Sequence, residues 1–353
     1  MSHVSRVHAQ QRKVSRRRRV IRRLVVLIVV AVASTTVFEG LVWWTHTAFA
    51  APWTSAEAFA EEWEDMPLKC QRRLAGSLPS KTDTSTHSRS RTYVEMGLTA
   101  REHGIEIFGE RDRKSATTQG LTIDDIFKIG VDGKISPNLI ALDVPVRAIV
   151  IPFPVGVVSR MLYDGTVKQL NRLGFVDEIN VYLQNPEMFH FSVFHASHHL
   201  EEHAVSEAGF DEEVRAIRGV TRKFCPIRAV LERVTVTSGG VVVAGWNVER
   251  TSTGEPSDLR ARLREVLPRA PIKQLVSDAF ILHTTLARLV RLPHGAVAET
   301  LAVAVSRALT DELCGLELTL DRAWFVSERH KLALALKGAV DKLDMPFSCS
   351  SHD

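Results

Sequence analysis

The sequence predicts an α+β fold, in which a bilobal, pseudo-symmetric domain over residues 141–345 is preceded by one N-terminal transmembrane helix. Three observations predict it. Strand-like and helix-like segments alternate from about Val144 onward. Two of the strand-like segments repeat a pattern of His, any residue, then Ser or Thr, which points to two similar halves. A basic tail precedes an uncharged apolar run near the N-terminus.

The composition is that of an ordinary globular protein. The chain has 353 residues, 45% hydrophobic and 24% charged, which excludes a wholly disordered or collagen-like chain. Its formal net charge is +4, but nine of the 45 Lys and Arg residues lie before Leu24, which leaves 36 basic against 41 acidic residues afterwards. The bulk of the chain therefore lacks the excess positive charge needed to bind a long phosphate backbone. We expect no long nucleic acid as a partner.

The first 44 residues have the pattern of a signal-anchor. A basic cytosolic tail, residues 1–23, meets an apolar stretch that has no charge over residues 24–38 and, read on through Glu39, reaches residue 44. Residues 24–44 then number 21, close to the roughly 20 that a spanning helix needs. The basic flank predicts a single-pass protein with a lumenal or extracytosolic C-terminal domain. Cleavage after Ala50, which would release a secreted protein, and a mitochondrial presequence are the alternatives.

We expect residues 45–140 to form a linker and an irregular N-terminal extension. A polar helix is expected over residues 54–74. Residues 77–92 are rich in Ser and Thr, which favours a flexible linker or exposed loop. Glycines interrupt residues 93–140. We expect the last residues, 346–353, to form a short tail.

Within residues 141–345 the apolar periodicity predicts each element in turn. Strands are expected at 146–153, 178–183, 189–195, 229–237, 241–248, 280–290 and 316–326, the fourth and fifth forming a hairpin around Gly239 and Gly240. Helices are expected at 161–173, 210–223, 259–267 and 301–309. This order predicts an α+β domain of about 200 residues.

The candidate chemistry lies in the two repeated patterns, His190-x-Ser192 and His283-x-Thr285. Because side chains alternate along a strand, each His shares a face with its hydroxyl residue. One imidazole can accept a proton while the other donates one, and the hydroxyls can hydrogen-bond phosphate oxygens as charge develops. Such a site needs no metal and no cofactor. The residues therefore suit cleavage of a phosphodiester.

With the segments FHFSVF and LHTTLARL, the sequence resembles the 2H phosphoesterase superfamily over roughly residues 144–345. The resemblance implies that His190 and His283 are the paired acid and base and that Ser192 and Thr285 bind phosphate. It also implies a 2′,3′-cyclic phosphate, an RNA end or a related nucleotide as substrate. The chain departs from the family pattern at Thr284, where an apolar residue is usual, and in its first 140 residues.

Strand parity sorts the neighbouring side chains. Phe194 falls on the face of His190 and could stack on a base. His195 falls on the opposite face and is not expected in the site. Arg288 shares the parity of Thr284 and is likewise not assigned to it.

Two alternatives remain open. His199 to His203 reads H-x-x-E-H, the inverted zinc-peptidase pattern if it is helical, although a charged exposed loop is favoured. A membrane-anchored binding module for nucleotide or protein, with the cleft but without turnover, is the other. The cysteines form no C-x-x-C pair and leave the disulfide state open; they are Cys70, Cys225, Cys314 and Cys349.

Overall fold

A computed structural model describes residues 66, 68–75, 84–109, 120–249, 251, 253–276 and 278–349. The predicted basic tail and the membrane segment at residues 24–44 lie outside the described residues. Among the helices in the described ranges, none combines the length and the apolar character required to cross a bilayer.

The described residues form an alternation of helices and strands. The helices are α1 (Leu68–Ala75), α2 (Thr84–His103), α3 (Ile123–Ile126), α4 (Val157–Arg172), α5 (Glu207–Thr221), α6 (Pro256–Val266), α7 (Ala298–Leu313) and α8 (Ala333–Leu336). The strands are β1 (Phe127–Ile129), β2 (Ile135–Pro137), β3 (Ala141–Pro152), β4 (Val181–Leu183), β5 (His190–His195), β6 (Ile227–Val236), β7 (Val241–Val248), β8 (His283–Leu289), β9 (Glu317–Leu320), β10 (Arg322–His330) and β11 (Val340–Pro346). The predicted mixture of strands and helices is confirmed.

Two antiparallel sheets carry the fold. One has four strands in the order β11-β10-β3-β5, and the other has five in the order β4-β8-β7-β6-β9; β1 and β2 pair separately. Each sheet contains strands from both halves of the sequence. Strand β4 lies in the five-stranded sheet, and β10 and β11 lie in the four-stranded one. The two His-containing strands, β5 and β8, therefore belong to different sheets.

Helix α7 covers β6 and completes its edge. Its buried apolar residues recur at helical spacing, as expected for one packed face; they are Leu301, Val305, Leu309 and Leu313. On the same helix, the hydroxyls of Ser306 and Thr310 accept the backbone N–H groups of Val236 and Val234 at 3.1 and 2.9 Å. These bonds pair the part of β6 that β9 does not reach.

The predicted flexible linker at residues 77–92 is wrong for its described part, because residues 84–103 form the 20-residue helix α2. The polar side chains on its inner face are bonded inside the domain instead of being solvated. Arg89, fully buried, forms an ion pair with Glu255 at 2.5 Å and donates to Asn247 at 3.2 Å. Ser90 donates to the buried Glu232 at 2.6 Å. A Ser- and Thr-rich composition is therefore compatible here with a buried helix.

Disulfides, which the sequence left open, join distant parts of the described chain. Cys70 of α1 is bonded to Cys314 at the end of α7, and Cys225 before β6 is bonded to Cys349. Beside the first bond, Arg73 donates to the Cys314 carbonyl at 3.1 Å. The N-terminal extension is thus covalently attached to the domain that carries the two His strands.

Candidate active site

Strands β5 and β8 meet where their His-x-Ser/Thr patterns lie. The hydroxyl of Thr284, a buried residue, donates to the carbonyl of His190 at 3.2 Å. The polar residue that interrupts the second pattern therefore connects the two motif strands, and with them the two sheets.

The four motif side chains line a single cavity. His190, Ser192, His283 and Thr285 are each half-buried, while the residues between them are fully buried. The cavity has a volume of about 420 Å³. Alternation along each strand predicted this common face, and the structure brings the two faces together.

Strand β5 contains a β-bulge directly after its motif. Ser192 pairs with Val150 of β3, but Phe194 pairs with the next residue of that strand, Ile149. Val193 is therefore an extra residue, and the alternation of side chains shifts by one from this point.

The bulge reverses the predicted roles of the next two residues. His195 returns to the face of His190 and lines the cavity, with only 8% of its surface exposed. Phe194 turns to the other face, where its ring packs under the Arg264 guanidinium at 4.8 Å. The structure therefore places His195 in the cavity lining and Phe194 outside it, the reverse of the parity prediction, because a strict period of two does not hold across a bulge.

Strand β8 contains a second bulge at the corresponding place. Thr285 pairs with Val243 of β7, and Ala287 pairs with Val242, so Leu286 is extra. This shift carries the side chain of Arg288 onto the cavity face. His195 and Arg288 thus each follow their motif histidine by five residues, one from each sheet.

Arg288 was excluded on parity, and that prediction is wrong. Its side chain lines the cavity and is 6% exposed. Among the described residues its buried Nε and Nη1 have no hydrogen-bond partner. Burial lowers the pKa of Arg288 to about 10, so the group stays charged at neutral pH. Arg288 therefore brings a positive charge to the cavity, and two of its N–H donors are left without a partner among the described residues.

Arg260 of α6 holds the strand segments around the site, and no sequence signal pointed to it. Its guanidinium donates to the carbonyls of Ser192 and Val193 at 3.2 and 3.0 Å, at the β5 bulge. It also donates to the carbonyls of Ala279 and Ile281, at 2.6 and 2.7 Å, before β8 begins. One buried side chain therefore fixes both motif strands.

The His190 ring has a defined orientation. Its Nδ1 lies 2.8 Å from the carbonyl of Met188, which can only accept, so Nδ1 carries the proton in the neutral ring. Nε2 is then left with its lone pair. Burial lowers the pKa of His190, against a smaller upward effect of the bond to Met188. The ring is therefore a neutral proton acceptor at pH 7.

The other titratable groups of the cavity are also shifted by burial. Burial lowers the pKa of His283 to about 4, assisted by the positive charge of Arg260 and by His190. For His195 burial lowers the pKa to about 3. The Glu328 carboxyl, which accepts the N–H of Leu334 at 2.8 Å, has its pKa raised by burial to about 7. All three histidines are neutral near pH 7, and Arg288 lines the same cavity as a cation.

The zinc-peptidase alternative does not fit the structure. Residues 199 and 200 form a turn, and no helix places His199 and His203 on one face. His203 instead lies 3.2 Å from Glu201. In the described ranges no group of three or more His, Cys, Asp or Glu side chains is arranged to hold a metal ion. The H-x-x-E-H pattern was therefore misleading, because it needs a helix to align its ligands.

No protein-family model matches the sequence, and no curated protein matches it. Among solved structures, TT0787 of Thermus thermophilus is 18% identical and has a TM-score of 0.38, over 57% of this chain and 98% of its own. E. coli LigT complexed with NADP+ is 12% identical, with a TM-score of 0.34, over 58% of this chain and 99% of its own. Kluyveromyces marxianus Usb1 is 13% identical, with a TM-score of 0.36, over 57% of this chain and 98% of its own.

At TM-scores below 0.5 the likeness carries no weight for function. The chemistry of the site therefore rests on its own residues.

Proposed function

We propose that this protein is a metal-independent phosphodiesterase of the 2H type, acting on 2′,3′-cyclic phosphate, RNA-end or related nucleotide phosphodiesters. One observation carries the proposal: His190 and His283, from different sheets, line one cavity together with two hydroxyl residues. Its volume of about 420 Å³ lies in the range of small-molecule sites. A nucleotide or the end of a short RNA fits this description better than a long duplex.

In the reaction one imidazole accepts a proton and the other donates one. His190 accepts, through Nε2, a proton from the attacking water as the new P–O bond forms. His283, in its protonated form, donates a proton to the ribose oxygen as the old P–O bond breaks. Ser192, Thr285 and Arg288 donate hydrogen bonds to the non-bridging oxygens, where negative charge develops. No step requires an electron acceptor or a metal.

The proposal is tested by incubating the full-length protein with 2′,3′-cyclic nucleotides and short RNAs, with and without a chelator. We expect a phosphomonoester product in both conditions. Tight binding without product would instead indicate a binding module that has lost turnover. Activity that the chelator abolishes would contradict the metal-independent mechanism.

The pH dependence of kcat/KM follows from the two shifted histidines. The active form has a neutral base and a protonated acid, so its fraction is greatest between the two pKa values and falls at pH values outside them. With the pKa of His283 at about 4 and that of His190 below its ordinary 6.5, we expect a bell-shaped profile with its maximum between these values. Initial rates from pH 3.5 to 9 measure it. A maximum above pH 7 would contradict this assignment.

We also propose that the described domain lies on the extracytosolic side of a membrane, attached through residues 24–44. The two disulfides support this side, because such bonds persist mainly in oxidising compartments. The acid-free basic tail supports the same orientation. Protease added to sealed vesicles from the source cells should remove only about the first two dozen residues. Digestion of the large domain would overturn the orientation.

A further inference from the structure

Helix α2 forms a wall of the cavity. It belongs to the N-terminal extension, which has no counterpart in the family that the sequence resembles. Thr92 and Met96 of this helix line it, beside His283 and Thr285. Tyr93, the next residue after Thr92 on this helix, is completely buried. The extension therefore lies within the site.

The hydroxyl of Tyr93 binds the backbone of the residue that precedes His283. It accepts the N–H of Leu282 at 3.1 Å and can donate to the carbonyl of Leu282 at 2.7 Å or of Trp246 at 2.8 Å. The N–H of Trp246 also donates to the Leu282 carbonyl at 3.0 Å. Tyr93 thus bridges β7 and β8 at Trp246 and Leu282, just before His283.

The ring of Tyr93 occupies the space directly across from His283. Gly245 is the ladder partner of His283, and paired residues project to the same face. A Cβ on Gly245 would lie 2.5 Å from the Tyr93 ring. A side chain at position 245 would collide with the ring, so the glycine allows Tyr93 to pack against β7.

A second contact of α2 holds the loop before β8. The Thr92 hydroxyl donates to Asp278 at 2.6 Å. The other carboxylate oxygen of Asp278 accepts the N–H groups of Phe280 and Ile281 at 2.7 and 3.0 Å. Two adjacent residues of α2 therefore fix the backbone from residue 278 to residue 282.

We infer that α2 is a working part of the cleft and that Tyr93 is a positioning residue for His283, which it holds through the backbone of Leu282. The inference rests on the proposed function, since it concerns the acid and base of that reaction. Loss of the Tyr93 hydroxyl leaves the Leu282 N–H without this acceptor and frees the start of β8. Small displacements of a catalytic group lower the rate of the chemical step, while contacts that only bind substrate are kept.

The test is Tyr93→Phe, which removes one oxygen and keeps the ring. We expect kcat to fall about tenfold or more, with KM changed by less than about twofold. Tyr163→Phe is the matched control, because Tyr163 lies on α4 away from the cavity lining. Thr92→Val, which releases Asp278, should lower kcat in the same direction and replaces Tyr93→Phe if that variant does not fold.

The outcomes distinguish a positioning role of Tyr93 from a role in stability alone. They also distinguish failure of this inference from failure of the proposed function. A lower melting temperature with unchanged kcat, measured where the variant is fully folded, would overturn the inference. If the wild type turns over no phosphodiester, the proposed function has failed. The inference is then tested by NMR titration of the His283 ring. Tyr93→Phe should shift its signals or its pKa and Tyr163→Phe should not, and equal behaviour of the two variants would refute it.

Discussion

Replacing either His190 or His283 with alanine is expected to lower kcat by about 10²- to 10⁴-fold, the usual contribution of one general acid or base. Each change removes one of the two proton-transfer partners that line the same cavity. The double variant should lose much less than the product of the two single losses, because the residues act as a unit. Steady-state kinetics of the three variants on one cyclic nucleotide measures this.

The matched control is His203→Ala, a histidine in an exposed position outside the cavity lining. Its kcat should equal that of the wild type. Single variants at His190 and His283 that keep kcat within a few-fold, while their circular dichroism is unchanged, would show that the paired histidines do not perform the chemistry.

Much of the site could be predicted because strand periodicity is a local property. Apolar neighbours on both sides marked β5 and β8 as strands, and a period of two then placed His190 with Ser192 and His283 with Thr285. That inference needs no knowledge of the rest of the fold. It holds here over the three residues of each motif, where no bulge intervenes.

The same rule failed two residues further along each strand. The bulges fall at Val193 and Leu286, which are ordinary strand residues with neither the glycine nor the proline that would signal an interruption. What fixes the first bulge is distant in sequence: Arg260 donates to the carbonyls of Ser192 and Val193. Since tertiary contacts set the register, His195 and Arg288 could not be assigned to the cavity from their parity.

Composition misled the interpretation of the N-terminal extension for a related reason. A stretch rich in Ser, Thr and Arg is usually solvated, because burying such groups without partners is costly. In α2 the partners exist, but Glu232, Asn247 and Glu255 lie more than 140 residues away in sequence. A buried polar helix of this kind can be inferred only when its partners are known.

The two bulges also give the cleft a direction. Five residues after each motif histidine, one sheet places the neutral His195 and the other the charged Arg288. For the proposed phosphodiester substrate, whose negative charge lies on the phosphate, we expect the non-bridging oxygens to lie near Arg288 of the five-stranded sheet.

Arg288→Met is expected to lower kcat by about 10²- to 10³-fold, the usual effect of losing one donor to developing negative charge. The same change should raise the melting temperature. Arg288 is buried, and among the described residues its Nε and Nη1 have no partner, so its desolvation is not compensated in the free protein. Methionine has a similar length and removes that penalty. Kinetics and thermal unfolding of one purified variant measure both effects.

Arg260→Met is the matched control for this prediction. Arg260 is buried to a similar degree, but its guanidinium donates to four backbone carbonyls. Its replacement leaves those carbonyls unpaired and should lower the melting temperature. The opposite signs of the two changes would distinguish an arginine kept for a ligand from one kept for the fold. If Arg288→Met destabilises the protein as much as Arg260→Met does, Arg288 is structural, and the anion must be bound by Ser192 and Thr285 alone.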